Sequence, residues 1–143
     1  VLGEGDYASM ALKKNSSAKR AFTFRADSLE QPIYAEDVVD AVSAILARQT
    51  NGEWDLAGTE SVSRRDLILR AASLFNNSPK VTSLPISIGL TLAFFLELLP
   101  NPPVTRAMLG VLDHDDQIDV KPTCDELDLT LTSLDETLKK VLT

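Results

Sequence analysis

A chain of 143 residues, 44% hydrophobic and 24% charged, has the make-up of one globular domain large enough for a real core. A formal net charge of −7 argues against a nucleic-acid partner, because phosphate binding needs clustered Lys and Arg. The lone Cys124 rules out an internal disulfide and gives no sign of an oxidising compartment. The chain opens without a basic start, a long apolar run or an initiator Met, so a fragment or a processed product is expected, cytoplasmic or peripheral at a membrane.

In chain order, Val1-Leu2 reads as the end of a strand running into the loop Gly3-Glu4-Gly5-Asp6. Ala8, Met10, Ala11 and Leu12 predict a short helix closed by the polar run Asn15-Ser16-Ser17. Ala21 to Arg25 alternates phenylalanines with smaller residues and predicts a strand, and Asp27 to Glu30 a polar connection. Gln31 to Gly58 then reads as strand, acid-rich turn, amphipathic helix, Asn51-Gly52 stop and a second strand. Glu36 and Asp37 suit a helix start, where exposed N–H groups and the dipole favour negative charge. Val38, Val39, Val42, Ile45 and Leu46 recur at helical spacing and demand a core. Trp54 and Leu56 alternate with Glu53 and Asp55 as in a half-buried strand.

Ser63 with Asp66 forms a short version of a capping box for a helix from Arg64 to about Phe75, ended by Asn76-Asn77-Ser78-Pro79. Val81 to Leu84 predicts another strand. Ile86 to Leu99 is the most apolar stretch, but its 14 residues fall short of the roughly 20 that cross a bilayer. It reads first as a buried helix, with a helix lying on a membrane or a partner as the alternative. Asn101-Pro102-Pro103 is a rigid break before a helix from Thr105 to Leu112, and Asp113 to Asp119 an acidic, irregular loop. Thr123 to Leu127 predicts one helical turn, and Ser133-Leu134-Asp135-Glu136 a capping box for a final helix ending near Leu142.

Chemistry is sparse. Gly3-Glu4-Gly5-Asp6-Tyr7-Ala8 matches G-x-G-x-x-A with Asp27 about twenty residues on, yet a dinucleotide loop needs a full strand before it and a longer helix after it. A plain turn is the better reading. His114 lies among Asp113, Asp115 and Asp116, but one histidine completes neither a zinc site nor a nucleophilic triad. Asp125 and Glu126 disfavour a Cys124 thiolate. Lys13, Lys14, Lys19 and Arg20 read as a solvated loop, and Arg64, Arg65 and Arg106 as structural cations before anion ligands. No complete catalytic apparatus is legible.

In order and spacing, these features resemble a known family. Val1-Leu2-Gly3-Glu4-Gly5-Asp6 resembles the loop after the sixth Rossmann strand of extended and atypical short-chain dehydrogenases/reductases, with Glu4 in place of the usual proline. Gln31-Pro-Ile-Tyr-Ala-Glu-Asp-Val-Val-Asp-Ala41 resembles their Val-x-Val-x-Asp-Val-Ala-x-Ala motif. Gly52-Glu-Trp-Asp-Leu-Ala-Gly58 is similar to their Gly-x-Tyr-x-Leu-x-Gly strand, and Ser63-Arg-Arg-Asp-Leu67 to the capped helix after it. Leu99-Pro-Asn-Pro-Pro-Val-Thr-Arg106 and Leu127-Asp-Leu-x-x-Thr-Ser-Leu-Asp-Glu136 look like the tail of the subgroup that includes the NAD(P)H-binding accessory subunit of respiratory complex I and its bacterial relatives.

The resemblance implies an α+β fold, a helix-rich small domain with a few short strands, forming the C-terminal part of a Rossmann-type extended short-chain dehydrogenase/reductase. It implies one substrate-binding domain over 1–143, an NAD(P)-binding Rossmann domain missing from the N-terminal side, and NAD(P) for the parent protein but no cofactor in this chain. Tyr7 is followed by Ala11 and Tyr34 by Val38, so neither supplies the family's Tyr-x-x-x-Lys pair, and no catalytic or cofactor-binding residue is carried over. By position, Gln31 and Arg106 are expected to face the substrate cleft. The expected function is the substrate-binding half of an epimerase- or reductase-like protein, inactive by itself. The alternative is a structural or assembly subunit docking on a membrane complex through 86–99; expected partners are the missing domain, such a complex, or a second copy.

Overall fold

The structure, a computed structural model, describes residues 1–49, 51–99, 105–110 and 115–143. Eleven elements follow one another among these residues: α1 (Tyr7–Ser17), β1 (Arg20–Phe24), β2 (Leu29–Glu30), α2 (Ala35–Arg48), β3 (Val62–Ser63), α3 (Arg64–Ser73), β4 (Lys80–Leu84), α4 (Ile86–Leu96), α5 (Arg106–Gly110), α6 (Lys121–Leu127) and α7 (Leu134–Leu142). The expected α+β class holds. β1 and β4 pair in parallel from Arg20↔Lys80 to Phe24↔Leu84, while β2 and β3 form a two-residue antiparallel ladder. A lone parallel bridge joins Leu2 to Tyr34: the Leu2 N–H donates to the Ile33 carbonyl and the Ala35 N–H to the Leu2 carbonyl, each at 2.8 Å.

The core lies between α1, α3 and α7. Leu12 of α1, Leu67, Ile68 and Ala71 of α3 and Leu134, Leu138, Val141 and Leu142 of α7 pack together with Leu2, Ala21 and Val62. Both expected caps are present. The Ser63 hydroxyl accepts from the Asp66 N–H at 3.0 Å and donates to its carboxylate at 2.8 Å, so the short Asp side chain binds the cap hydroxyl. Ser133 and Glu136 repeat the arrangement at the start of α7.

Several expectations need correction. The polar run Asn15-Ser16-Ser17 does not close α1 but forms its last turn, with Ser16 fully buried and its hydroxyl bonded back to the Lys13 carbonyl at 2.9 Å. α2 stops at Gln49, which takes the left-handed conformation expected of Asn51-Gly52. Glu53 to Leu56 alternates as predicted but forms no ladder, because its segment hangs on side chains and loops. The Thr123 hydroxyl donates to the Asp55 carbonyl at 2.7 Å, and the Gly58 N–H to the Gln31 carbonyl at 3.3 Å. The connection Asp27–Glu30 contains β2.

The largest corrections concern the two apolar helices. α2 buries Asp37 and Ala41, and its stripe of Val39, Val42 and Leu46 stands in solvent. α4, read first as a buried helix, packs through Gly89 and Ala93 and leaves most of its large side chains exposed. Gly89 lies so close to the Phe24 ring that a Cβ there would sit 2.8 Å from it. The Pro102-Pro103 break and the end of the helix expected to run to Leu112 lie outside the described residues.

Asp37 does more than start α2. Its two carboxylate oxygens accept the N–H and the hydroxyl of Thr132, each at 2.8 Å, tying α2 to the connection before α7. Asp37→Ala would leave a part-buried N–H without its partner and is expected to cost about 2 kcal/mol. Urea unfolding would show it as a lower midpoint at unchanged slope.

Candidate functional site

The concave face begins at the Leu2–Tyr34 bridge. The Asp6 side chain folds back over the first turn of α1, accepting the Ser9 N–H at 2.6 Å and the Gly3 N–H. Gly5 takes a positive φ of 75° to make this turn. The N–H groups that a phosphate would use are thus held by the chain's own carboxylate. Burial raises the Asp6 carboxyl, but the Ser9 and Gly3 N–H bonds outweigh it and leave the group below its ordinary value.

Two adjoining cavities lie beside this turn. One, of about 270 Å³, runs between α1, β1 and α3 and is lined by Ala11, Leu12, Phe22, Phe24 and Ile68 among others. The other, of about 340 Å³, reaches Val1, Gln31, Pro32 and Asp116. Leu2, Ala8, Glu30, Arg64 and Leu67 line both. The shared wall therefore carries an ion pair: the buried Arg64 Nε donates to Glu30 Oε1, and its Nη1 to the Phe24 carbonyl at 3.1 Å. This pair is neutralised within the chain. The groove offers shape and apolar surface with a compensated charge.

Gln31 lines the second cavity but is already engaged. Its Nε2 donates to the carbonyls of Gly58 and Ile118, both at 2.9 Å, and its Oε1 accepts the Ile118 N–H at 2.7 Å. Both amide hydrogens are spent, leaving one acceptor site on Oε1. Arg106, the other residue expected in the cleft, lies on α5. Its backbone N–H and Nε hold the two Glu97 oxygens, each at 2.7 Å, and its guanidinium lies over the Phe94 ring at 5.2 Å. No described contact joins Gln31 and Arg106. The Arg106 N–H, then its guanidinium, hold the Glu97 carboxyl below its ordinary value.

The acidic loop is described from Asp115 onward, and that part is a strap with structure. Asp115 Oδ1 accepts the Ser28 hydroxyl at 2.6 Å and the Leu29 N–H at 3.1 Å, and Arg25 lies 3.6 Å away. The Asp116 N–H donates to the Leu29 carbonyl at 3.1 Å, and its carbonyl accepts the Ser61 hydroxyl. With the Gln31 bonds, the strap is sewn along β2. Hydrogen bonds from Ser28, then Leu29, hold the Asp115 carboxyl below its ordinary value of 3.8. A lowered carboxylate stabilises the fold fully above the unfolded value and loses that contribution as pH falls through the folded one. The strap is therefore expected to loosen below pH 3.8, seen as movement of the Leu29 amide resonance, and Asp115→Asn to flatten that response.

Among the described residues, the remaining candidates form no assembled site. Arg65 is engaged by Asp27 at 3.0 Å and the Val81 carbonyl at 3.1 Å. Burial, then Asp125 and Asp37, push the Cys124 thiol up, so it stays protonated at neutral pH. Of the basic cluster, Lys13 lies 6.0 Å over the Phe75 ring. His114 lies outside the described residues, and among those described no three potential ligands gather for a metal. Glu30, which the sequence reading passed over, is the partner that makes Arg64 structural. Its one signal is an acid in a short strand opposite the Ser63-Arg64 cap.

No family model and no curated protein matches the chain. Solved structures do. UDP-N-acetylglucosamine 4-epimerase from Bacillus cereus aligns over 98% of this chain and 41% of its own length, at 10% identity and a TM-score of 0.67. Citrobacter triphenylmethane reductase complexed with NADP(H) aligns over 99% and 51%, at 15% identity and 0.65. Helicobacter pylori ADP-L-glycero-D-manno-heptose-6-epimerase aligns over 94% and 35%, at 18% identity and 0.63. The chain thus spans about half or less of the structures it matches. Its α+β fold is the one these Rossmann-type extended short-chain dehydrogenase/reductase structures share with it over that part of their length.

Proposed function

We propose that the chain is the substrate-side, C-terminal part of an NAD(P)-binding protein of the epimerase and reductase type, without redox activity by itself. The observation that carries this reading is the near-complete alignment of this chain with under half of a nucleotide-sugar epimerase. The lone Leu2–Tyr34 bridge supports it, since parallel strands are stable mainly inside sheets covered on both faces. The exposed Val39, Val42 and Leu46 stripe of α2 is a surface such a sheet would cover. The groove at Glu30, Arg64 and Gln31 would then be the substrate side of the cleft, and NAD(P) would bind the other domain.

Calorimetric titration of the chain with NADPH tests this. No binding is expected from the chain alone, whereas the product of the longer gene should bind. Micromolar binding by the chain itself would overturn the reading, as would a longer gene product lacking a Gly-rich loop.

A second reading, an assembly subunit related to the complex I accessory subunit, is favoured by one observation: the uncovered apolar surface of α4. It predicts retention in the membrane fraction of the native cell, lost on Leu92→Glu.

A further inference from the structure

α4 exposes a stripe whose spacing is that of a helix seam. Ile88, Leu92 and Phe95 are separated by four and three residues, the alternation of a and d positions in a coiled coil, and Leu99 follows just beyond the end of the helix. They are 57%, 58%, 61% and 51% exposed, and Leu98 beside them is 76% exposed. Ser87, Ile88, Thr91, Leu92 and Phe95 also line a shallow open depression on this face. The opposite side of α4 is the one that packs, through Gly89 and Ala93. Phe94 is turned off the stripe, edge-on to Phe95 with ring centres 5.5 Å apart and beneath the Arg106 guanidinium.

Side chains of this size at this exposure present together on the order of 600 Å² of apolar surface. That is the upper end of what a monomer leaves open. It approaches the ~800 Å² per partner that a stable interface buries, before any rim is added. A bilayer is a poor occupant. Helices that lie on membranes carry Lys or Arg along their polar face, whereas α4 has none and Arg106, which lies over its Phe94 ring, is spent on Glu97. A net charge of −7 further opposes anionic lipid.

We propose that this stripe is a self-association surface, on which α4 of one chain packs antiparallel against α4 of a second copy about a two-fold axis near Leu92 and Phe95. Such an interface is isologous: the same stripe faces itself. The inference stands independently of the substrate-side reading above and competes with the assembly reading for the same surface.

Sedimentation velocity of the full chain over 1 to 100 µM (about two decades, spanning typical micromolar dissociation constants) tests it. A reversible dimer is expected. Leu92→Glu and Phe95→Glu, each at an exposed position, should weaken it by at least about tenfold, as loss of a central anchor does. Val42→Glu on α2 should leave it intact. In a Cys124→Ser background, Leu92→Cys should form an intermolecular disulfide on oxidation. A wild-type monomer at every concentration, a dimer that survives both α4 substitutions with their circular dichroism unchanged, or one dissolved by Val42→Glu would overturn the proposal. So would flotation of the chain with neutral phosphatidylcholine vesicles that the α4 substitutions abolish while the protein stays monomeric.

Discussion

Gly58→Ala is expected to destabilise the chain severely. A Cβ at residue 58 would lie 1.9 Å from the Pro32 carbonyl oxygen and 2.7 Å from its carbon, both backbone atoms with no rotamer to yield. Gly58 is also where three segments meet. Its N–H donates to the Gln31 carbonyl, its own carbonyl accepts the Gln31 amide, and the same amide holds Ile118. Moving residue 58 away to relieve the overlap would break the link between the second cavity's floor and the 115–118 strap. Overpacking of a tight contact costs about 3 kcal/mol, and more where backbone must shift. Small domains have about 5–15 kcal/mol in all, so this one change removes a large share. Thermal unfolding followed by circular dichroism is the check. A melting point within a few degrees of wild type would mean that the approach to Pro32 is not a constraint of the native fold.

Arg64→Met is the second large effect. The guanidinium is buried and holds Glu30 and the Phe24 carbonyl, so its removal strands an acid and an acceptor beside the groove. Breaking a buried pair from one side costs about 3–5 kcal/mol in general. Glu30 keeps 29% of its side chain in water, so the lower end, about 3 kcal/mol, is expected. The informative variant is the double one. Arg64→Met with Glu30→Met removes both charges at similar volume, and buried pairs replaced in this way are often neutral. Recovery of most of the lost stability in the double variant, measured by urea unfolding, would assign the cost to the stranded Glu30 charge. Equal loss in both variants would assign it to the Phe24 carbonyl and the packing of the Arg64 stem.

Both effects bear on how the groove is built. Beside α1 and α3, its walls come from short strands and a turn, which have little stability of their own. They are held instead by side chains that reach across the sequence: Gln31 to 58 and 118, Asp115 to Ser28 and Leu29, Arg64 to Glu30 and Phe24, and Asp37 to Thr132. A ligand entering the groove would meet a frame whose hydrogen bonds are already made. Recognition there would rest on fit and on the few acceptor sites left open.

By itself, the sequence determined those features that depend on neighbours a few residues apart. The caps at Ser63 and Ser133 were legible because an N-cap hydroxyl and an acid three residues on need only one helical turn to meet. So were β1, β4 and the cores of α3 and α7, since periodicity of two or 3.6 is a local property, while the α+β class came with the family resemblance. The tertiary structure alone decided which apolar face is buried. α2 and α4 have stripes as apolar as that of α3, yet α3 is sandwiched between α1 and α7 while α2 buries only Asp37 and Ala41 and α4 only Gly89 and Ala93. Periodicity records that a face needs a partner and carries no sign of whether the same chain supplies it. It likewise could not show that Gln31, expected at the cleft, spends its amide on residues 27 and 87 positions away, because such pairings exist only once the chain has closed.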